Sequence, residues 1–333
     1  MTNRFLSQSA YRWRLIIQAL FLFWCLFIGI QFSLFVRHFE TSGAMPYYSR
    51  PPGVEGFLPI GALVSFKAWV VGGLLDAVHP AALVLFVTFL AMALLARKSF
   101  CSFLCPVGTL SEWSWKLGQK LFGRNFRVWR PLDLLLQSLK YLLLLFFVKI
   151  ILIDMPLPAI RQFLAGDYWA VADLKMLQFF TSVSLLSGSI ILFLTLLSLF
   201  YKNVWCRYLC PYGALLGLFS MLSPVRVRRN LQSCTDCGRC SRVCPARIDV
   251  QSKLSIASPE CTGCMTCVQN CPEPNTLQMS FGRMILPGWS FVLLVIGLFA
   301  SGVLIGMLSG HWESSLGYAD YQQLIKNLPG IGH

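Results

Sequence analysis

Five stretches of this chain, 15–36, 77–96, 134–153, 176–200 and 285–309, are each about twenty residues long and almost free of charge. A helix needs about 20 consecutive apolar residues to cross a bilayer, and only helices or closed barrels can satisfy their own backbone there. The expected fold is therefore an α-helical multi-pass membrane protein. Only 13% of the 333 residues are charged, against about 25% in an ordinary soluble domain. That deficit excludes a soluble enzyme, a disordered chain and a conventional nucleic-acid binder. The first stretch exceeds the apolar core of a signal peptide, about 7–15 residues, and no A-x-A-like site follows it, so it reads as a retained span. A sixth run, 57–75, is interrupted by Pro59, Gly61, Lys67 and the pair Gly72-Gly73. Broken runs of this kind read as re-entrant or interfacial segments.

Charge then sets the orientation. The net charge of +14 arises from 28 Lys+Arg and 14 Asp+Glu. With five spans and the N-terminus inside, the inner segments hold 20 basic residues: 3 in the N-terminal tail, 7 in 97–133 and 10 in 202–283. The outer segments 37–76, 154–175 and 310–333 hold 3, 2 and 1. Basic residues gather on the cytoplasmic side of such proteins, so the expectation is a bacterial inner-membrane protein with a cytoplasmic N-terminus and a periplasmic C-terminus. Lys140 and Lys149 fall inside the third span, and snorkelling to the interface is the favoured behaviour of both; the deeper Lys140 could alternatively face the protein interior, near an anionic cofactor or headgroup. Cys25, lone in the first span, reads as an apolar filler. Gly302, Gly306 and Gly310 form a small-residue stripe that lets helices approach closely, within this bundle or against another subunit.

The segment Phe100-Cys-Ser-Phe-Leu-Cys-Pro-Val-Gly-Thr-Leu110 returns as Trp205-Cys-Arg-Tyr-Leu-Cys-Pro-Tyr-Gly-Ala-Leu215, with a constant offset of 105 and six of eleven positions identical. Each copy follows an inward-running span, so the two are parallel repeats about an axis normal to the membrane. Cysteines at i and i+4 share a helix face. Leu110, Trp113, Leu117 and Leu121 then form the apolar stripe of an interfacial helix, with Lys116 and Lys120 free for headgroups. Cys101, Cys105, Cys206 and Cys210 could converge on a third iron–sulfur centre or a single iron, as soft thiolates select. Alternatively they pack as small apolar residues beside Pro106 and Pro211.

Eight further cysteines lie in two C-x2-C-x2-C-x3-C-P runs, Cys234–Pro245 and Cys261–Pro272. This is the bacterial ferredoxin spacing for [4Fe–4S] clusters, in which the fourth cysteine of each run ligates the other cluster. One cluster is expected on Cys234, Cys237, Cys240 and Cys271, the other on Cys261, Cys264, Cys267 and Cys244. Structural zinc needs only four ligands, and disulfides do not suit the reducing side of the membrane, so both alternatives fit poorly. The resulting organisation is a membrane domain over 1–225, an inserted α+β bacterial-type 2[4Fe–4S] ferredoxin domain over 226–283, and a last span with a short periplasmic tail over 284–333. No catalytic motif is evident. His38, His79 and His311 fall at the outer ends of spans; they read as residues meeting water there, or as contacts for a quinol headgroup or a partner.

The two CxxxCP motifs and the eight-cysteine cassette together make residues 77–283 resemble the polyferredoxin-type membrane proteins, which include NapH-like subunits and the membrane half of NosR-like proteins. The resemblance implies electron transfer between a quinol pool (menaquinol or ubiquinol) or a cytoplasmic donor and a periplasmic redox partner. It implies partner subunits of a membrane redox complex, such as a periplasmic cytochrome, iron–sulfur or flavin protein. NosR-like members also carry a large periplasmic flavin domain, which outer segments of about 40 residues cannot supply. A redox sensor and a maturation factor that reduces another enzyme's metal centre are the competing readings. The lack of an output domain counts against the sensor.

Overall fold

The computed structural model describes residues 2–331; His333 lies outside them. Fifteen helices appear among the described residues: α1 (Thr2–Glu40), α2 (Pro59–Gly72), α3 (Pro80–Ala96), α4 (Phe100–Phe103), α5 (Pro106–Phe122), α6 (Arg130–Val148), α7 (Leu157–Leu164), α8 (Asp167–Ala170), α9 (Ala172–Thr181), α10 (Leu185–Phe200), α11 (Pro211–Ser220), α12 (Arg239–Val243), α13 (Thr266–Gln269), α14 (Gly288–Leu308) and α15 (Tyr318–Asn327). Three are long and apolar enough to cross a membrane: Ser9–Glu40, Arg130–Asp154 and Gly288–Leu308. The expected straight span at 176–200 is instead α9 and α10, bent by 75° at residues 182–184. Ser184 causes the break, because its Oγ accepts from the Ser187 backbone N–H at 3.2 Å and so caps α10. The expected span at 77–96 is the 17-residue α3, about 25 Å long at 1.5 Å per residue and short of a bilayer core of about 30 Å. The broken run is the 14-residue α2, shorter still. Its Lys67 donates to the Ile151 and Met155 carbonyls at 3.0 and 2.6 Å. Ile151 lies within, and Met155 directly after, a π-helical turn, Lys149–Asp154, where the regular hydrogen bonding of α6 is lost.

The chain forms two compact units. The first comprises Met1–Leu22, Phe89–Leu144 and Ile190–Phe299. It contains an antiparallel sheet of β1 (Val225–Arg229), β2 (Ser255–Ile256), β3 (Leu277–Phe281) and β4 (Met284–Ile285), in the order β2-β1-β3-β4. Val225 pairs with Phe281 and Val227 with Met279, and Val225, Val227, Ile256, Leu277 and Met279 are buried. The alternation of apolar and basic residues in Val-Arg-Val-Arg-Arg thus gives β1 one inward face. Close to the start of α1, Arg14 is buried and donates to both oxygens of Glu112 on α5, at 3.0 and 2.6 Å. Lys116 bonds the same carboxylate at 2.6 Å, so it is not free for headgroups as its position on α5 suggested. The apolar stripe of α5 (Leu110, Trp113, Leu117 and Leu121) is left uncovered by protein.

The second unit comprises Phe23–Thr88, Leu145–Ser189 and Ala300–His333. Its core is Phe32, Phe35, Val36, Phe39, Val54, Val171, Leu174, Tyr321 and Ile325 with their neighbours. Here the glycine stripe of α14 meets α3: a Cβ on Gly302 would collide with Thr88, and one on Gly306 would lie 2.8 Å from Val84 Cγ1. At these two positions the stripe therefore packs inside the bundle.

Candidate metal centres

The two C-x2-C-x2-C loops share one backbone path. Residues at the third and fifth positions of each are left-handed: Asp236 and Gly238 (φ 50° and 68°) in the first, Gly263 and Met265 (φ 65° and 59°) in the second. Such turns fold three thiols of each loop inward. A short helix then follows, α12 or α13, carrying the third cysteine; Cys244 comes directly after α12, and Cys271 after α13 with one residue between. The outcome is two recesses. Cys234, Cys237, Cys240 and Cys271 line one of about 330 Å³; Cys244, Cys261, Cys264 and Cys267 line another of about 400 Å³. Each expected ligand set thus shares one recess, with the fourth cysteine crossing over. Arg229 borders the first, its Nη1 3.4 Å from Cys234 Sγ, and Cys237 is exposed there. The second is apolar, walled by Val227, Ile248, Val250 and Ile256. Burial pushes the Cys244 thiol up to about 12 and that of Cys267 well above its usual value. Thiolates at that depth need cationic metal beside them, so the donor sets and enclosure fit iron–sulfur clusters.

The repeat is visible element by element. In each copy the second cysteine caps the following helix: Cys105 Sγ accepts from Gly108 N–H at 3.4 Å, and Cys210 Sγ from Gly213 N–H at 3.2 Å. Pro106 and Pro211 occupy the first turn of α5 and α11, where a missing N–H costs nothing. The first cysteines, Cys101 and Cys206, sit on α4 and on a π-helical turn, Trp205–Leu209. All four thiols interact electrostatically, and burial raises each of them, Cys101 to about 11. Lys98 raises none of them; its ammonium pulls Cys101, Cys206 and Cys210 back down. Among the described residues no three His, Cys, Asp or Glu side chains close to the spacing of a single ion.

A cavity of about 550 Å³ is lined by Cys101, Cys206 and Cys264 together with Lys98, Glu112 and Glu260. It places the CxxxCP cysteines beside a thiol of the apolar recess. The segment 258–262 that carries this loop is held from several sides. Arg97 donates to the Ser220 and Ser258 carbonyls at 3.0 and 2.7 Å, and Ser102 to Thr262 O at 2.7 Å. Lys140 Nζ meets both Glu260 oxygens at 2.6 and 2.7 Å, with Tyr141 adding a third bond. Lys140 is fully buried, which corrects the snorkelling expectation; Lys149 does reach outward and pairs with Asp154. Arg97, Lys98 and Glu260 carried no motif in the sequence, and only Glu260, preceding Cys261, had a position that could have drawn notice.

The histidines have separate surroundings. His38 Nδ1 lies 2.6 Å from Met45 O and Nε2 2.8 Å from Tyr318 Oη. His79 is fully buried, with Nε2 2.8 Å from Trp169 O and Nδ1 3.4 Å from Glu55 and 3.2 Å from Arg50. Burial lowers the His79 imidazole, but Glu55 and Asp173 outweigh it and hold the group above its ordinary value. Neither ring therefore merely meets water; His311 is half-buried.

A family described as "4Fe-4S binding domain" matches residues 78–125 and 183–230, and one described as "4Fe-4S dicluster domain" matches 226–272. The two matches of the first are offset by 105 residues, one per CxxxCP copy. YccM of Escherichia coli strain K12, provisionally named as an electron transport protein, is 44% identical over 98% of this chain and 93% of its own length. The chain belongs to the polyferredoxin-type electron-transport family. The ferredoxin-type protein NapH of the same organism is 26% identical over 54% of this chain and 61% of its own. MJ0750 of Methanocaldococcus jannaschii, of uncharacterised role, is 30% identical over 56% and 74%. No solved structure matches. This polyferredoxin is thus a membrane protein bearing 4Fe–4S domains.

Proposed function

We propose that this chain is the iron–sulfur electron-transfer subunit of an inner-membrane redox complex, passing electrons between a quinol pool or cytoplasmic donor and a redox partner on the periplasmic side. Cys234, Cys237, Cys240 and Cys271 hold one [4Fe–4S] cluster, Cys244, Cys261, Cys264 and Cys267 a second, and Cys101, Cys105, Cys206 and Cys210 a third iron–sulfur centre. Clusters in these places supply one-electron transfer without proton chemistry. The observation that carries the reading is the shared cavity of Cys101, Cys206 and Cys264, which supports a path from the apolar recess to the repeat cysteines. The protein's own work is positional. Arg97, Ser102 and the Lys140–Glu260 pair fix the loop of Cys261 and Cys264 against α4, α6 and α11.

The test is anaerobic purification of the intact protein, followed by iron analysis, EPR after reduction, and reduction by menaquinol. The cassette alone accounts for about eight irons; the expected content is higher, and the double substitution Cys101→Ser and Cys206→Ser removes the excess while leaving the cassette signals. Equal iron and equal quinol-linked reduction in parent and variant overturn the third centre. Zinc without iron overturns the whole reading.

A further inference from the structure

Beside the cassette, the first unit carries a recess of about 550 Å³ whose wall includes Arg124, Arg127, Lys202, Arg242 and Arg247 and no acidic residue. None of these five cations forms an ion pair among the described residues. Their contacts leave the charge unmatched: Lys202 Nζ donates to Arg242 O at 3.3 Å and lies 4.9 Å from the Trp115 ring. Arg247 donates to Phe126 O, and Arg124 lies over the Phe126 ring at 5.2 Å. Arg242 turns its guanidinium to Gly238, and Asp133, already paired with Arg207, reaches Arg247 only electrostatically; Arg124, Arg127, Lys202 and Arg247 are left at one concavity, where they repel one another unless an anion enters. The height of the recess says which anion. Its segments adjoin the end of α10 at Phe200 and the start of α6 at Arg130. Phe122, Phe126 and Trp129, exposed by 49, 39 and 75%, lie in the same stretch of chain. Exposed aromatics next to span ends mark the headgroup level, and basic pockets there take phosphate-bearing lipid headgroups.

We infer that this recess binds the headgroup of a phospholipid with two phosphates, the chemistry of cardiolipin. Four cations exceed what one phosphodiester offsets, and the recess joins 119–127, Lys202 and the cassette segment 241–247. A bound diphosphate would thus tie the cysteine cassette to the membrane surface through groups that hold no iron.

The experiment uses full-length, cluster-loaded protein in lipid nanodiscs, with retained lipid read by native mass spectrometry and by titration. Cardiolipin is expected to bind more tightly than phosphatidylglycerol. The pair Arg124→Gln and Arg127→Gln should weaken it about tenfold, with iron content and cassette EPR unchanged. Lys202→Gln alone, made in parallel, should act in the same direction, so a poorly folded double variant does not void the test. Cardiolipin affinity within about twofold of the parent in both variants overturns the inference. So does phosphatidylglycerol binding as tightly as cardiolipin. Inorganic pyrophosphate binding to the lipid-free detergent-solubilised protein as tightly as cardiolipin overturns it in favour of a soluble anion.

Discussion

A lysine inside an apolar helix has two ways to keep its charge: stretch its stem to the headgroups or find a carboxylate in the protein. Lys140 takes the second, and its partner lies 120 residues away in sequence. That distance is why the sequence suggested snorkelling; no local spacing links Lys140 to Glu260. The pair matters because it is buried on the lysine side and removal of one partner strands the other. Breaking such a pair costs about 3–5 kcal/mol. Glu260→Gln should therefore lower the unfolding midpoint and speed iron loss from the cysteines nearest Glu260. Adding Lys140→Met to that variant should recover a large part of the loss, since the orphaned ammonium is gone. A Glu260→Gln protein as stable as the parent would refute this role. The six cysteines of the two C-x2-C-x2-C loops, by contrast, line the recesses that their spacing suggests, because loops that short leave three thiols no freedom to part.

Helices show the same division between what neighbours dictate and what distant packing decides. The repeat was readable because Cys, Pro and Gly at fixed offsets rebuild one local structure: a cysteine cap, a proline in the first turn, and a glycine whose N–H reaches the sulfur. The lengths of α3 and α10, and the bend before α10, were not readable from hydropathy, which registers apolarity and not a serine cap. Nor are the two copies equal. A Cβ on Gly108 would collide with the Cys101 carbonyl, whereas on Gly213 its nearest neighbour is Cys210 Sγ at 3.4 Å. Backbone cannot yield as a side chain does. Gly108→Ala should cost about 1–3 kcal/mol, as overpacking does, and disturb the first CxxxCP pair. Gly213→Ala should stay close to the parent in thermal stability and iron content; equal losses in both would contradict the asymmetry.

For the molecule as a whole, function depends on how often the chain crosses the bilayer. By length alone three helices qualify, and a fourth if α9 and α10 count as one. The topology we propose has five crossings. Arg14 of α1 bonds Glu112 of α5 inside the first unit, so the beginning of α1 and the segment after α3 share a side. That is impossible if α1 crosses and α3 does not. Charge agrees, since 97–133 and 202–283 carry 17 of the 28 basic residues and such loops stay cytoplasmic. Short spans of this kind are accommodated by local thinning or by flanking segments, at fractions of a kcal/mol per Å. Reporter fusions therefore have definite expected outcomes: cytoplasmic activity at 124–125 and within the cassette, periplasmic activity at 165 and after 310. The fusion at 124–125 is the deciding one. Periplasmic activity there would leave α3 outside the set of spans, put the first CxxxCP pair across the membrane from Arg14, and overturn the five-crossing topology.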